Sequence, residues 1–455
     1  MDKLVKNQQS AGTAVVPAFK FPKNFIWGAA TSAGQIEGAA FVDGRGASIW
    51  DEYFNARPHL DPISVTCDHY NRMPQDVQLM KGMGLNAYRF STSWSRVLPD
   101  GAGRVNEKGL DFYDRLVDTL LQNGIEPYLT LYHWDLPQRL QTTGGWLNRD
   151  TGDNFADYAA VMAKRLGDRV QSWTTFNELE VIVAGYTGTG LAPGLNQPET
   201  GVQTGHNLLV AHGKVLQTIK SIAPALKVGI VLNLVPVDPV DQSSEAARAA
   251  SDRWDTSYGW YLDALYKGHY PDAIYEGKGY GRLAAKAGDM ALIASKIDFM
   301  GINYYLRLVV DRNGTECVVP GAKLTQMGWE IRPQSLSKML IELNAKYKLP
   351  DLFITENGAA LDDTIVDGQI HDLQRIDYLR SHLLAIEDAT AAGVKVCGYF
   401  AWSFMDNLEW SLGFSKTFGL IHVDRQSLTR TVKDSGLWYH DVIKAHTAAH
   451  ERRRG

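Results

Sequence analysis

Short apolar runs rich in β-branched and aromatic residues recur along the chain at Phe25–Ala29, Leu85–Phe90, Glu126–Leu131, Val170–Phe176, Lys227–Leu232, Asp298–Ile302, Leu352–Thr355 and Lys395–Phe400. Each is too short for a helix and carries the residue types that fit a buried strand. Between them lie longer stretches with helical spacing of apolar positions, among them Asn106–Gln122, Thr151–Leu166, Thr204–Ile222, Pro333–Tyr347 and Asp372–Ala392. Two end in a glycine stop that leads straight into the next strand, Asn123-Gly124-Ile125 and Ala392-Gly393-Val394. Repeated β-then-α units predict an α/β chain folded as a (β/α)₈ TIM barrel, a single domain with extended βα loops. An open doubly wound sheet is the alternative, but neither a G-x-G-x-x-G turn nor a G-x-x-x-x-G-K-[ST] loop is present to support it. No Gly/Ser/Pro-rich linker divides the chain, so the expected boundaries are a flexible leader over 1–18, a catalytic barrel over 19–447 and a basic tail over 448–455.

Composition narrows the function classes. With 45% hydrophobic and 21% charged residues the chain can bury a large core, which excludes disorder and disulfide-stapled miniproteins. A net charge of −5 gives no electrostatic footprint for a phosphate backbone or an anionic lipid surface, so neither nucleic acid nor membrane is an expected partner. The three cysteines, Cys67, Cys317 and Cys397, form no C-x-x-C pair and are odd in number. Together with the lack of a signal-like apolar region or a run of about 18 apolar residues, they predict a cytoplasmic protein. None of the twelve histidines falls in an H-x-H or H-E-x-x-H cluster, and no metal or cofactor is expected.

In a barrel of this kind, chemistry sits at the C-terminal ends of the strands. Those ends carry Arg89, His133 with Trp134, Asn177 with Glu178, Asn233, Asn303 with Tyr305, Glu356 with Asn357, and Trp402, while Gln35 lies a few residues past the first. Glu178 closes Thr174-Thr175-Phe176-Asn177 and Glu356 closes Phe353-Ile354-Thr355, at the ends of the fourth and seventh strands. A glutamate alone is as readily a cap or an ion-pair partner. Two carboxyls facing each other across a barrel mouth are what glycosidic bond cleavage requires, one protonated to assist the leaving oxygen and one ionised to meet the anomeric carbon. The twelve tryptophans are either core fillers or flat platforms for the C–H face of a sugar.

Longer motifs surround these residues: Asn24-Phe25-Ile26-Trp27-Gly28-Ala29-Ala30-Thr31-Ser32-Ala33-Gly34-Gln35-Ile36-Glu37-Gly38, Tyr88-Arg89-Phe90-Ser91, Tyr132-His133-Trp134-Asp135-Leu136-Pro137, Thr175-Phe176-Asn177-Glu178, Ile354-Thr355-Glu356-Asn357-Gly358 and Asp406-Asn407-Leu408-Glu409-Trp410. With these the chain resembles glycoside hydrolase family 1, the β-glucosidase family, from about Phe21 to His446. The resemblance implies a retaining β-glycosidase that acts on β-glycosides or cello-oligosaccharides, with Glu178 as acid/base and Glu356 as nucleophile beside Arg89 and Tyr305. It assigns sugar contacts to Gln35, His133, Asn177, Glu409 and Trp410, a platform to Trp402, and cleft positions to Trp134, Asn233, Trp329 and Phe418. Four positions depart from the family pattern: Leu179 in place of a common Pro, Gly34 in place of a larger residue, Leu408 in place of Phe, and Thr417 in place of a basic residue.

Two rivals have sequence-level discriminants. A 6-phospho-β-glycosidase of the same family would carry Ser at the position of Glu409 and Tyr at that of Phe418, and Glu409 would repel a phosphate. A non-catalytic sugar-binding barrel would be expected to have lost one of the two carboxyls, and both are present.

Overall fold

The computed structural model describes residues 16–61, 63–276 and 281–452. Eight parallel strands close into one barrel: β1 (Ile26–Ala30), β2 (Ala87–Ser91), β3 (Glu126–Tyr132), β4 (Ser172–Asn177), β5 (Lys227–Asn233), β6 (Phe299–Asn303), β7 (Asp351–Asn357) and β8 (Val396–Trp402). The ring is completed by β8 pairing with β1 from Ile26 opposite Gly398 to Ala30 opposite Trp402. An outer helix follows each strand in turn: α1 (His69–Gly82), α2 (Glu107–Gln122), α3 (Thr151–Leu166), α4 (Gly201–Ile222), α5 (Trp260–Lys267), α6 (Pro333–Tyr347), α7 (Leu373–Ala391) and α8 (Asp434–Arg452).

Every barrel strand runs one or two residues further toward its C-terminal end than the apolar pattern predicts. The added residues, including Asn177, Asn233, Asn303 and Asn357, are mostly polar, so hydropathy ends before the ladder does. Backbone pairing continues regardless of side chain, as in Asn233 opposite Asn303. This extension places Asn177, Asn303, Glu356 and Trp402 on the strands themselves, with His133, Glu178 and Tyr305 one or two residues beyond.

A strand buried on both faces reads as a nearly continuous apolar run. Trp27, Tyr88, Leu129, Trp173 and Ile230 point outward into the layer beneath the helices, and Tyr128, Phe299, Phe353 and Phe400 fill the barrel interior with Ala30 and Ala87. Large rings fit there because facing positions are small: a Cβ on Gly28 would lie 2.4 Å from the Phe400 ring. Above this apolar plug the Thr130 and Thr174 hydroxyls share a hydrogen bond at 2.7 Å, and a polar layer begins. Trp27, Trp50, Trp94, Trp146 and Trp173 are fully buried.

The helices α1, α5 and α8 lie outside the five predicted stretches. Pro74 and a run of polar residues blur the period of α1, and α5 is short and preceded by a helix, Ser244–Trp254, and a π-helical turn, Asp255–Gly259. Residues 448–452 of the expected basic tail belong to α8. Residues 453–455 and residues 1–15 of the expected leader lie outside the described residues.

Candidate active site

The strand ends converge on one buried polar network. Glu178 leaves β4 with a left-handed backbone, φ 56°, and the helix Leu179–Thr187 begins at the next residue. The β4–β5 ladder is irregular between Thr174 and Asn177, and the Glu178 N–H is bonded to the Val231 carbonyl at 2.9 Å. Trp134 and Trp410 also hold φ near 77° and 46°. Such conformations cost on the order of 1–3 kcal/mol for non-glycine residues and persist where surrounding contacts over-determine them.

The two carboxyls sit in different surroundings. Both oxygens of Glu356 are engaged: Arg89 Nη1 donates to Oε1 at 2.6 Å and the Tyr305 hydroxyl donates to Oε2 at 2.7 Å. Glu178 has one donor on the same scale, the Asn303 side-chain amide, at 2.7 Å to Oε1. Burial first, then the charges of Glu356 and Glu180, push Glu178 well above the ordinary carboxylate range. Burial also raises Glu356, but Arg89, Tyr305 and Asn303 all pull against it. Two carboxyls in one dry pocket cannot both ionise cheaply, and the Arg89 cation decides which of them does.

Asn177 ties the network together. Its Oδ1 accepts from Arg89 Nη2 at 2.7 Å and from Asn303 at 3.1 Å. Its amide nitrogen lies 3.2 Å from His133 Nε2 and donates to it, because burial and the nearby Arg89 keep the imidazole neutral, well below its usual range. His133 Nδ1 then carries the proton and has no hydrogen-bond partner among the described residues. Trp402 stacks on the His133 ring at 5.8 Å between centroids. Trp410 lies against Trp50 at 4.4 Å, and Trp329, Tyr305 and Phe418 form a three-ring group with centroids 5.3 to 6.3 Å apart. The Glu409 carboxyl is pushed up to about 8 by burial and by the Glu356 charge.

Two buried carboxyls in unequal surroundings, an arginine, a tyrosine hydroxyl and several indole rings thus meet at the strand ends, and the sequence matches the model of Glycosyl hydrolase family 1 over residues 18–448. The chain belongs to glycosyl hydrolase family 1. It is 42% identical over 436 residues to Beta-glucosidase A of Thermotoga maritima, covering 93% of this chain and 98% of the relative. It is likewise 42% identical, over 94% of this chain and 99% of the relative, to a Bifidobacterium breve protein named bifunctional beta-D-glucosidase/beta-D-fucosidase. The solved Thermotoga maritima beta-glucosidase in complex with glucoimidazole superposes with a TM-score of 0.89 at 41% identity, over 94% of this chain and 99% of that one.

Within this family 1 hydrolase, the residues singled out from the sequence occupy distinct places. Arg89, Asn177, Tyr305 and Glu356 are linked directly by the hydrogen bonds above, and Glu178 joins them through Asn303. Gln35 is wholly buried and bonded to protein: its amide donates to Asn407 Oδ1 at 3.1 Å and to the Leu408 carbonyl at 2.8 Å, while Ser32 donates to its Oε1 at 2.6 Å. Trp134 donates its indole N–H to the Asn177 carbonyl at 3.0 Å and packs beside His133 and Trp410, which braces the network. Asn233 is not brought into that network. Its N–H donates to Glu180 at 2.6 Å, and its side chain lines a neighbouring cavity.

Asn303, noted in the sequence only as a strand-end residue, and Thr355, which sequence reasoning passed over, complete the network. Thr355 donates to Asn303 Oδ1 at 2.7 Å, which fixes the amide so that its nitrogen faces Glu178 and Asn177. Their only sequence signal is position at a strand end. The departure at Gly34 has a local reason: a Cβ there would lie 3.1 Å from the Trp410 indole, so glycine leaves the ring room. Leu179 and Leu408 are fully buried, and the Thr417 hydroxyl donates to the Leu361 carbonyl at 3.1 Å.

Proposed function

We propose that the enzyme is a retaining β-glucosidase that releases terminal non-reducing β-D-glucosyl units from small β-glycosides and cello-oligosaccharides, with activity on β-galactosides and β-fucosides. The observation that carries this reading is the unequal pair of buried carboxyls, Glu356 held by Arg89 and Tyr305 and Glu178 held by one amide. In the first half-reaction a Glu356 oxygen bonds to the anomeric carbon while Glu178 passes its proton to the departing glycosidic oxygen. Once Glu356 is esterified its charge is gone, and the second-largest cause of the raised Glu178 pKa goes with it. Glu178 then takes a proton from water, the hydroxide oxygen bonds to the anomeric carbon, and Glu356 leaves as carboxylate. Trp402 serves as platform, with His133, Asn177, Gln35, Glu409 and Trp410 around the sugar hydroxyls, and Trp329 and Phe418 at the leaving-group side.

Family relatives named for glucoside and fucoside hydrolysis support the glycone range. A 6-phosphosugar is disfavoured because Glu409, whose carboxyl is raised to about 8 by burial and then by the Glu356 charge, offers an added anion no cationic partner. Lys416, a conceivable phosphate ligand, donates to the Gln326 carbonyl at 3.1 Å. We keep 19–447 as one catalytic domain, and a cytoplasmic location as the reading of the unpaired cysteines; no helix among the described residues is long and apolar enough to cross a membrane.

The kcat/KM values for p-nitrophenyl β-D-glucoside, β-D-galactoside, β-D-fucoside and 6-phospho-β-D-glucoside test the assignment. The first three are expected to be cleaved and the phosphorylated one ignored, whereas preferential cleavage of the latter would replace the reading by the 6-phospho activity. The pH profile gives a second check. With Glu356 ionised and Glu178 protonated in the active form, kcat/KM follows a bell whose acid limb belongs mainly to Glu356. Arg89→Met removes the cation that pulls Glu356 down, so that limb is expected to move to higher pH. A limb that stays in place would remove Arg89 from this role.

A further inference from the structure

Between Ile354 and Asn357 the strand β7 holds one residue more than either neighbour. Against β6, Ile302 lies opposite Ile354 but Asn303 opposite Glu356, and against β8, Tyr399 lies opposite Ile354 but Ala401 opposite Asn357. Such a bulge breaks the alternation of side chains along a strand. Phe353 belongs to the ring cluster inside the barrel and Ile354 to the layer outside it, so regular alternation would turn Thr355 inward and Glu356 outward. With the extra residue both turn inward, Glu356 to Arg89 and Tyr305, and Thr355 to Asn303 on β6. Gly301 makes room for this: a Cβ there would lie 2.7 Å from the Thr355 methyl carbon and 2.8 Å from its hydroxyl oxygen. Thr355 is buried, and its hydroxyl proton goes to Asn303 Oδ1 at 2.7 Å.

Asn303 stands between that hydroxyl and Glu178. Its amide nitrogen donates to Glu178 Oε1 at 2.7 Å and to Asn177 Oδ1 at 3.1 Å. An amide whose oxygen accepts a hydrogen bond donates more strongly from its nitrogen, and one that loses that donor in a buried site gains by turning its oxygen toward a protonated carboxyl. We propose that Thr355 is a positioning residue for the proton transfers: the β7 bulge aims its hydroxyl at Asn303, which keeps the amide N–H on Glu178. The inference rests on Glu178 being the acid/base. That N–H favours the ionised Glu178, the form that takes a proton from water in the second half-reaction. One strand thereby fixes both carboxyls, Glu356 directly and Glu178 through Asn303. The other groups acting on Glu178 are Glu356 and Glu180, which raise it, and Arg89, which lowers it, with the Tyr305 hydroxyl nearby. A change at Thr355 leaves all four in place.

The test is the pH profile of kcat/KM for p-nitrophenyl β-D-glucoside in the wild type, Thr355→Val and Thr355→Ser. Valine keeps the shape and drops the hydroxyl. Its alkaline limb is expected about 0.5–1 pH unit above the wild-type limb, the size of weakening one hydrogen bond to a carboxylate. The acid limb is expected to move less, because Asn303 is the least of the groups that pull Glu356 down. Serine restores the donor and is expected to bring the alkaline limb back toward its wild-type position. In an Asn303→Ala background valine is expected to add no further shift. A limb that stays in place with valine, moves equally with serine, or shifts as far without Asn303 would leave Thr355 a packing residue and overturn the proposal. Glu178→Gln separates this from the reading beneath it: the alkaline limb is expected to vanish, and a limb that persists would instead overturn the acid assignment.

Discussion

Glu356→Ala is expected to lose about 10⁴–10⁶ of kcat on every β-glucoside while staying folded, the scale on which a nucleophile's removal disables an enzyme. The Arg89 cation loses its ion-pair partner but keeps bonds to Asn177 Oδ1 and, at 3.3 Å, to the Thr355 carbonyl. Removing one partner of a buried pair costs about 3–5 kcal/mol, so a lowered melting temperature is expected, short of unfolding. The space beside Arg89 then suits a small anion. Azide is expected to restore turnover from that face, and a single displacement on a β-glucoside gives the α-glucosyl azide. Recovery of the β-azide would exchange the roles of the two glutamates.

Glu178→Ala carries the second large effect, which depends on the leaving group. p-Nitrophenolate departs with little help from a proton, so its first step survives, whereas cellobiose is expected to lose about 10²–10⁴. The glycosyl-enzyme still forms but waits for a base, and azide is expected to intercept it as the β-glucosyl azide. Equal losses on both substrates would contradict the acid role. The contrast follows from the surroundings: burial first, then the neighbouring Glu356 and Glu180 carboxyls, raise Glu178 against the Asn303 hydrogen bond and the Arg89 charge.

The barrel was legible because each strand is buried on both faces and announces itself as a short apolar run bounded by a turn. The ends of those strands were not, since Asn177, Asn303 and Glu356 continue the ladder with polar side chains that hydropathy counts as loop. The carboxyl pair was legible for the same reason the ends were hidden: a glutamate following an apolar run stands out. Asn303 was visible as a strand-end residue but not as the partner of Glu178, and Thr355 carries no such mark; the bond from Asn303 to Glu178 spans 125 positions of chain. Only the folded ring brings β4 and β6 near enough to make it. Glu180 was hidden differently, as one of many acidic residues at a helix start, and only the fold shows its carboxyl buried near Glu178 and bonded to the Asn233 N–H. Gln35, expected at the sugar, has its amide and carbonyl already bonded to Asn407, Leu408 and Ser32, which local sequence could not foretell.

The most direct test of the double displacement is the anomeric configuration of the first product, followed by proton NMR during hydrolysis of p-nitrophenyl β-D-glucoside before mutarotation sets in. The unequal carboxyl pair predicts that β-glucose appears first, with α-glucose growing in only at the rate of spontaneous mutarotation. Initial release of α-glucose would mean a single displacement by water, and Glu356 would then be a base and not a nucleophile.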